Sequence, residues 1–271
     1  MQSILVHVCN DPDFEARLQT SLDIARFFDA HLTFLQTITP PVVLPMDYTG
    51  TAIPPLLPMA QEQAEKLKQD TEARLNDEDV QWDWVQEVGF VDSMLLSHAA
   101  LNDLVIVGAD GQTETEHNRS RLAGILAIEG RSSVMVVPSS SQCFDPSKPA
   151  LVAWNGSPES ARAMRASLAL LKRSDSVVLA TVTGEPERKS SRLPPFDGAS
   201  YLARHGIECE LIELPCSGRH PAKILVEEAE KRDAGYIVLG AYGHSRLLEI
   251  VFGGVTRDML DDPQIPVFLA H

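Results

Sequence analysis

The chain is short of cations. Its 271 residues carry 23 Lys and Arg against 38 Asp and Glu, a formal net charge of −15. Such a surface repels nucleic acid and anionic membranes, so neither is expected as a partner. Long apolar runs are missing too: none approaches the ~18 residues of a transmembrane helix, and no membrane insertion is expected. The opening, Met1 to His7, has neither a basic segment nor a long apolar one, so no secretory leader is expected. Cysteine is scarce. Cys9, Cys143, Cys209 and Cys216 are scattered, with no C-x-x-C. That spacing argues against disulfides and thiolate metal sites, and for reduced, mostly buried thiols in a cytoplasmic protein. The eight histidines show no H-x-x-x-H or H-E-x-x-H spacing, and no metal centre is expected. A G-x-S-x-G elbow and a Walker A lysine are both lacking, so no catalytic residue is assigned.

What charge there is lies unevenly. Residues 1–146 hold 22 acids and 8 bases, whereas residues 147–271 hold 16 acids and 15 bases. An anionic ligand therefore meets strong repulsion in the first half and little in the second.

The chain repeats itself. Ile4-Leu5-Val6-His7-Val8 opens one half and Ala150-Leu151-Val152-Ala153-Trp154 opens the other. Leu104 to Gly111 matches Tyr236 to Gly243, with both glycine pairs 132 residues apart. Val134–Val137 then matches Val267–Ala270. Between the opening and the glycine segment the first repeat is 14 residues longer. The excess is placed in Thr39 to Pro58, whose six prolines predict an extended loop.

Each repeat reads as alternating strand and helix. In the second, strands are expected at Ala150–Trp154, Ser176–Val182, Glu208–Leu214 (Cys209, Leu211 and Ile212 inward), Tyr236–Leu239 and Pro266–Ala270. Helices are expected from Pro158, over Pro221–Lys231 and over Val255–Leu260. The first half follows the same order, with its second helix over Leu57–Leu75. The alternation implies an α/β fold: parallel sheets with helices on both faces. The Ser- and Pro-rich stretch Pro138–Pro149 divides the chain into residues 1–140 and 148–271.

One constellation carries chemistry. Gly240-Ala241-Tyr242-Gly243 is followed by nine residues and then by Gly253-Gly254-Val255-Thr256. It follows an apolar strand and leads into a helix. Glycines let backbone approach a polyphosphate, and helix N-terminal amides supply donors and a positive dipole end. The first strand of this half ends at the same rim, placing Ala153, Trp154 and Asn155 beside Leu239. Asn155-Gly156-Ser157 reads as a turn and helix N-cap whatever the ligand. Trp154 has two open readings, a cleft wall or a packing residue.

These segments resemble the universal stress protein family in its tandem form, over nearly the whole chain. The resemblance rests on the family pattern G-x2-G-x9-G-(S/T), which holds ribose and phosphates in ATP-binding members. Gly240, Gly243 and Gly253 match it; Gly254 stands where Ser or Thr is usual, and Val255 and Thr256 match again. Asn155 replaces the family's early Asp. The resemblance implies two tandem Rossmann-like open sheets of five parallel strands, order 3-2-1-4-5, packed like a homodimer; a dimer of such chains is a further expectation. It also implies a cytoplasmic stress-response or signalling protein. Its second repeat would bind ATP or a related adenine nucleotide, Mg²⁺ able to accompany the phosphates, through Ala153, Asn155, Leu239, Gly240, Gly243, Gly253, Gly254, Val255 and Thr256, with at most slow hydrolysis. The protein partner is unknown. In the first repeat Gly108 and Gly111 persist, but Arg121 stands where Gly253 does, followed by Leu122, Ala123 and Gly124. That half is expected to have lost its nucleotide site. The alternative is a nucleotide-free interaction protein in which both repeats are scaffold.

Overall fold

The computed structural model describes residues 1–39, 56–109, 119–184, 193–241, 254–261 and 263–271. The first half runs β1 (Ser3–Val8), α1 (Phe14–Phe28), β2 (His31–Ile38), α2 (Leu56–Leu75), β3 (Gln81–Val88), α3 (Val91–Ala99), β4 (Leu104–Gly108), α4 (Arg119–Ile128) and β5 (Val134–Val137). The second runs β6 (Ala150–Ala153), α5 (Pro158–Ala166), α6 (Leu168–Leu171), β7 (Val177–Thr183), α7 (Pro195–Arg204), β8 (Cys209–Pro215), α8 (Pro221–Lys231), β9 (Tyr236–Gly240), α9 (Gly254–Asp261) and β10 (Val267–Ala270).

The strands form one ten-stranded sheet in the order β3-β2-β1-β4-β5-β10-β9-β6-β7-β8. Each half therefore has the expected order 3-2-1-4-5, parallel throughout, and the two halves meet edge to edge. At the seam β5 and β10 run antiparallel, with Val267 opposite Val136 and Phe268 opposite Met135. All eight residues of these two strands are buried, so each covers an edge that would otherwise expose unpaired backbone.

Position in the sheet explains the strand sequences. β4, β6 and β9 are nearly continuous apolar runs because helices cover both their faces. The outer strands β3 and β8 alternate burial and carry acids such as Asp83, Glu87, Glu210 and Glu213. On β8 Cys209 and Ile212 pack on the core, but Leu211 is 44% exposed, against expectation. It lies on the boundary strand of the sheet, which has a neighbouring strand on one side only.

Helices α1, α2, α5 and α7 pack on one face, through residues such as Leu22, Leu75, Met164 and Leu202. Helices α3, α4, α8 and α9 pack on the other, through Leu95, Leu126, Leu225 and Met259. Helix α5 starts as its sequence dictates: the Ser160 N–H donates to Ser157 Oγ (3.2 Å) and Pro158 follows in the first turn. Helix α7 was not anticipated. Its apolar stripe is thin, with Gly198 and Leu202 alone fully buried.

Between β5 and β6 the connection carries no strand or helix, yet it is anchored. Phe144 is buried beside Tyr236, and its N–H donates to Asp23 Oδ2 at 2.9 Å. The expected Pro-rich loop falls largely outside the described residues; its last three, Leu56 to Pro58, begin α2. Among the cysteines, all free, Cys216 alone is fully buried and Cys143 is exposed, so the expectation of mostly buried thiols was too broad. No helix is long and apolar enough to cross a membrane among the described residues.

Candidate functional site

Strand β6 lies between β9 and β7, pairing Val152 with Val238 on one side and Ala153 with Ala180 on the other. The chain leaves β6 into α5 on one face and reaches β9 from α8 on the opposite face. The strand order reverses here, and beyond the carboxyl ends of β6 and β9 such sheets open a crevice. Ala153 ends β6 and Gly240 ends β9, so parallel pairing brings the two rims together.

Ala153 and Leu239 are buried, at 8% and 7% exposure, and form the crevice floor. Gly240 is a true close-approach glycine. A Cβ there would lie 2.6 Å from the Glu159 carbonyl carbon and the Ser160 nitrogen in the first turn of α5. Asn155 is exposed, and its Oδ1 accepts the Ser157 N–H at 3.0 Å, the expected turn ahead of the N-cap. Trp154 resolves to packing: it is 3% exposed and lies beneath Gly198 of α7. Gly254 opens α9 and is exposed, while Val255 packs on the core. Thr256 is 6% exposed, its hydroxyl donating at a long 3.5 Å to the Gly240 carbonyl. Helix α9 is thereby tied to the end of β9. Gly243, Gly253 and His244 lie outside the described residues.

Two features at this crevice had not been singled out. His220 precedes α8, and its Nε2 is 2.8 Å from Asp258 Oδ2 on α9 and close to Gly254. Glu159 is 8% exposed, and its Oε2 has no hydrogen-bond partner among the described residues. Neither carries a sequence signature: one is a lone His, the other an ordinary first-turn acid.

In the first half, side chains crowd the strand end that corresponds to Gly240. Arg17 of α1 is fully buried. Its Nε donates to the His7 carbonyl (3.1 Å) and its Nη2 to Asp11 Oδ2 (2.9 Å) and the Cys9 carbonyl (3.4 Å). A Cβ on Gly108 would collide with the Arg17 guanidinium and with Asp13. Where backbone approaches Gly240 in the second half, side chains occupy the space beside Gly108 in the first. Burial, and next the Arg17 charge, push the His7 imidazole down to about 3, so it is neutral. Burial pushes the Cys9 thiol up to about 12, the Arg17 charge offsetting part of the rise. Arg121 was expected to block phosphates here; its side chain lies outside the described residues.

Residues 146–271 match the model of the universal stress protein family. Among solved structures, the chain is similar to a universal stress protein from Archaeoglobus fulgidus DSM 4304, with TM-score 0.76 and 13% identity, covering 99% of this chain and 96% of that one. It is also similar to a protein described as functionally unknown from Pseudomonas aeruginosa PAO1, with TM-score 0.59, 15% identity and coverage of 99% and 92%. A putative universal stress protein from Pseudomonas aeruginosa UCBPP-PA14 aligns with TM-score 0.57, 16% identity and the same coverage. No curated protein matches the chain significantly. Identities this low speak for the fold of the whole chain, and the family match speaks for its second half. Residues 146–271 are thus similar to the universal stress protein family, and the first half repeats the same fold.

Proposed function

We propose that the chain is a cytoplasmic stress-response or signalling protein that binds one adenine nucleotide, ATP or a relative, at the crevice of its second half. Residues 148–271 act as the binding domain and residues 1–140 as scaffold and partner surface. The observation that supports this most is the contact of Gly240 with Thr256, in the first turn of α9, at the switch in strand order. The N-terminus of α9 then stands beside a glycine strand end, the arrangement that suits a phosphate. In this reading the α9 amides hold phosphate and the β6 and β9 rims hold the sugar and base. Mg²⁺ accompanies the phosphates without a dedicated protein cage. Hydrolysis is slow, because the chain has no Walker A lysine to stabilise the transferring group.

A second reading, a nucleotide-free scaffold, is favoured by Gly254 in place of a hydroxyl residue and by the engagement of Asn155 Oδ1 within its own turn. Titration calorimetry with ATP and Mg²⁺, beside mass spectrometry of nucleotide released from the purified protein, separates the two. The expected result is one equivalent per chain. Two equal sites, or neither heat nor bound nucleotide, would overturn the proposal.

A further inference from the structure

We propose that the first half holds a separate site for an uncharged, mainly apolar small molecule bearing a hydrogen-bonding oxygen or nitrogen. The site is a cavity of about 650 Å³ over the carboxyl ends of β1 and β2. Its volume suits a drug-sized ligand, for which pockets run from about 300 to 1,000 Å³. Ala64 and Leu67 of α2 line one side; Val91 of α3 and Leu122 and Ile125 of α4 line the other. Phe90, at its edge, is a large ring 58% exposed.

Two polar atoms in this lining have no partner among the described residues: His7 Nε2 and Thr37 Oγ1. His7 is 7% exposed, so water does not serve it freely. The two side chains share a sheet face. β1 and β2 are parallel with His7 beside Leu35, and Thr37 is two residues further along. An unpaired buried donor or acceptor is unfavourable, and a ligand atom placed there would relieve it. Gln36, by contrast, is already satisfied, donating to the Ala64 carbonyl and accepting from Gln86.

Charge selects against an anion. Among the described residues that line the cavity, Asp92 is the one charged residue. The nearby Arg17 side chain is 1% exposed and committed to Asp11 and to the His7 and Cys9 carbonyls. With 22 acids and 8 bases, residues 1–146 as a whole repel a phosphate. A neutral imidazole can donate or accept through one nitrogen, which fits a hydroxyl or carbonyl on an uncharged body.

The test uses the full chain and Nile red, an uncharged apolar dye with a carbonyl. Saturable binding of one dye per chain is expected, with emission shifted to the blue. Ala64→Trp and Leu122→Trp place an indole in the cavity from opposite walls; each should weaken binding by about tenfold or more while the thermal melt stays close to the parent. His7→Leu should weaken it several-fold. Excess ATP should not displace the dye, and Gly253→Arg should bind it like the parent, which keeps this site distinct from the nucleotide reading. In the parent itself, the His7 ring resonances should move on adding dye. Unsaturable binding, unmoved His7 resonances, displacement by ATP, or parent-like affinity in both folded Trp variants would overturn the proposal.

Discussion

Arg17 and Asp11 make an ion pair at 2.9 Å with side chains only 1% and 2% exposed. Removing one partner strands the other charge away from water. Arg17→Met should therefore cost about 3–5 kcal/mol of stability. Removing both should cost less than the sum, because neither charge is then stranded. Urea unfolding of Arg17→Met, Asp11→Asn and the double variant checks this, and strictly additive losses would contradict it.

Gly240 faces backbone, which cannot rotate away as a side chain tip can. Gly240→Ala should destabilise by about 1–3 kcal/mol by driving α5 from β9. It should also weaken ATP binding, because the displaced strand end is one rim of the crevice. A parent-like melt and parent-like titration would show that the two elements separate freely.

The phosphate reading makes a graded prediction. Gly253→Arg, which copies Arg121 of the first half, should abolish nucleotide binding and leave the melt near the parent. Thr256→Ala removes a long hydrogen bond to the Gly240 carbonyl and should cost no more than about 1.5 kcal/mol in either assay. Unfolding of Gly253→Arg would instead assign that glycine to backbone geometry.

His7 gives the fold an acid sensitivity. Its folded value is about 3 against an ordinary 6.5. Below pH 6.5 the unfolded chain takes up a proton that the folded chain refuses. The stability this residue contributes is thus complete above pH 6.5 and declines as pH falls toward 3, by up to about 1.4 kcal/mol per unit. Unfolding of the parent and of His7→Leu at pH 7 and pH 5 should show a smaller acid loss in the variant. Equal losses would mean that His7 is protonated in the fold.

Thiol reactivity should follow exposure and ionisation. Cys143 is exposed, whereas Cys9 is held near 12 by burial and Cys216 is buried. Iodoacetamide at neutral pH should label Cys143 first and Cys9 only on unfolding, as read by peptide mass spectrometry. Early labelling of Cys9 would show that β1 opens at its carboxyl end.

Much of the fold was legible because the relevant signals are local. Apolar runs at Leu104–Gly108 and Tyr236–Gly240 repeat at one spacing, and prolines at 158 and 221 mark helix starts that the structure confirms. The paired last strands could be anticipated because Val134–Val137 and Val267–Ala270 are too apolar to stand at an open edge. Helix α7 escaped because two fully buried positions are too few to show a period. Leu211 was misplaced because alternation reveals two faces without saying how much of either is covered at a boundary strand.

At the candidate site, the sequence by itself determined that Gly240 ends a strand and that Gly254 opens a helix: glycines after a strand and ahead of a helix are chemically marked wherever they occur. Tertiary structure decided what those residues touch. Only the folded chain sets Gly240 against α5, turns the Thr256 hydroxyl to a carbonyl, and seats Arg17 beside Gly108. It also hollows out the first half beneath His7 and Thr37. The physical reason is that spacing along a chain specifies backbone conformation and periodicity. A buried charge, a close approach and a cavity depend on elements far apart in sequence, which meet only once the sheet is formed.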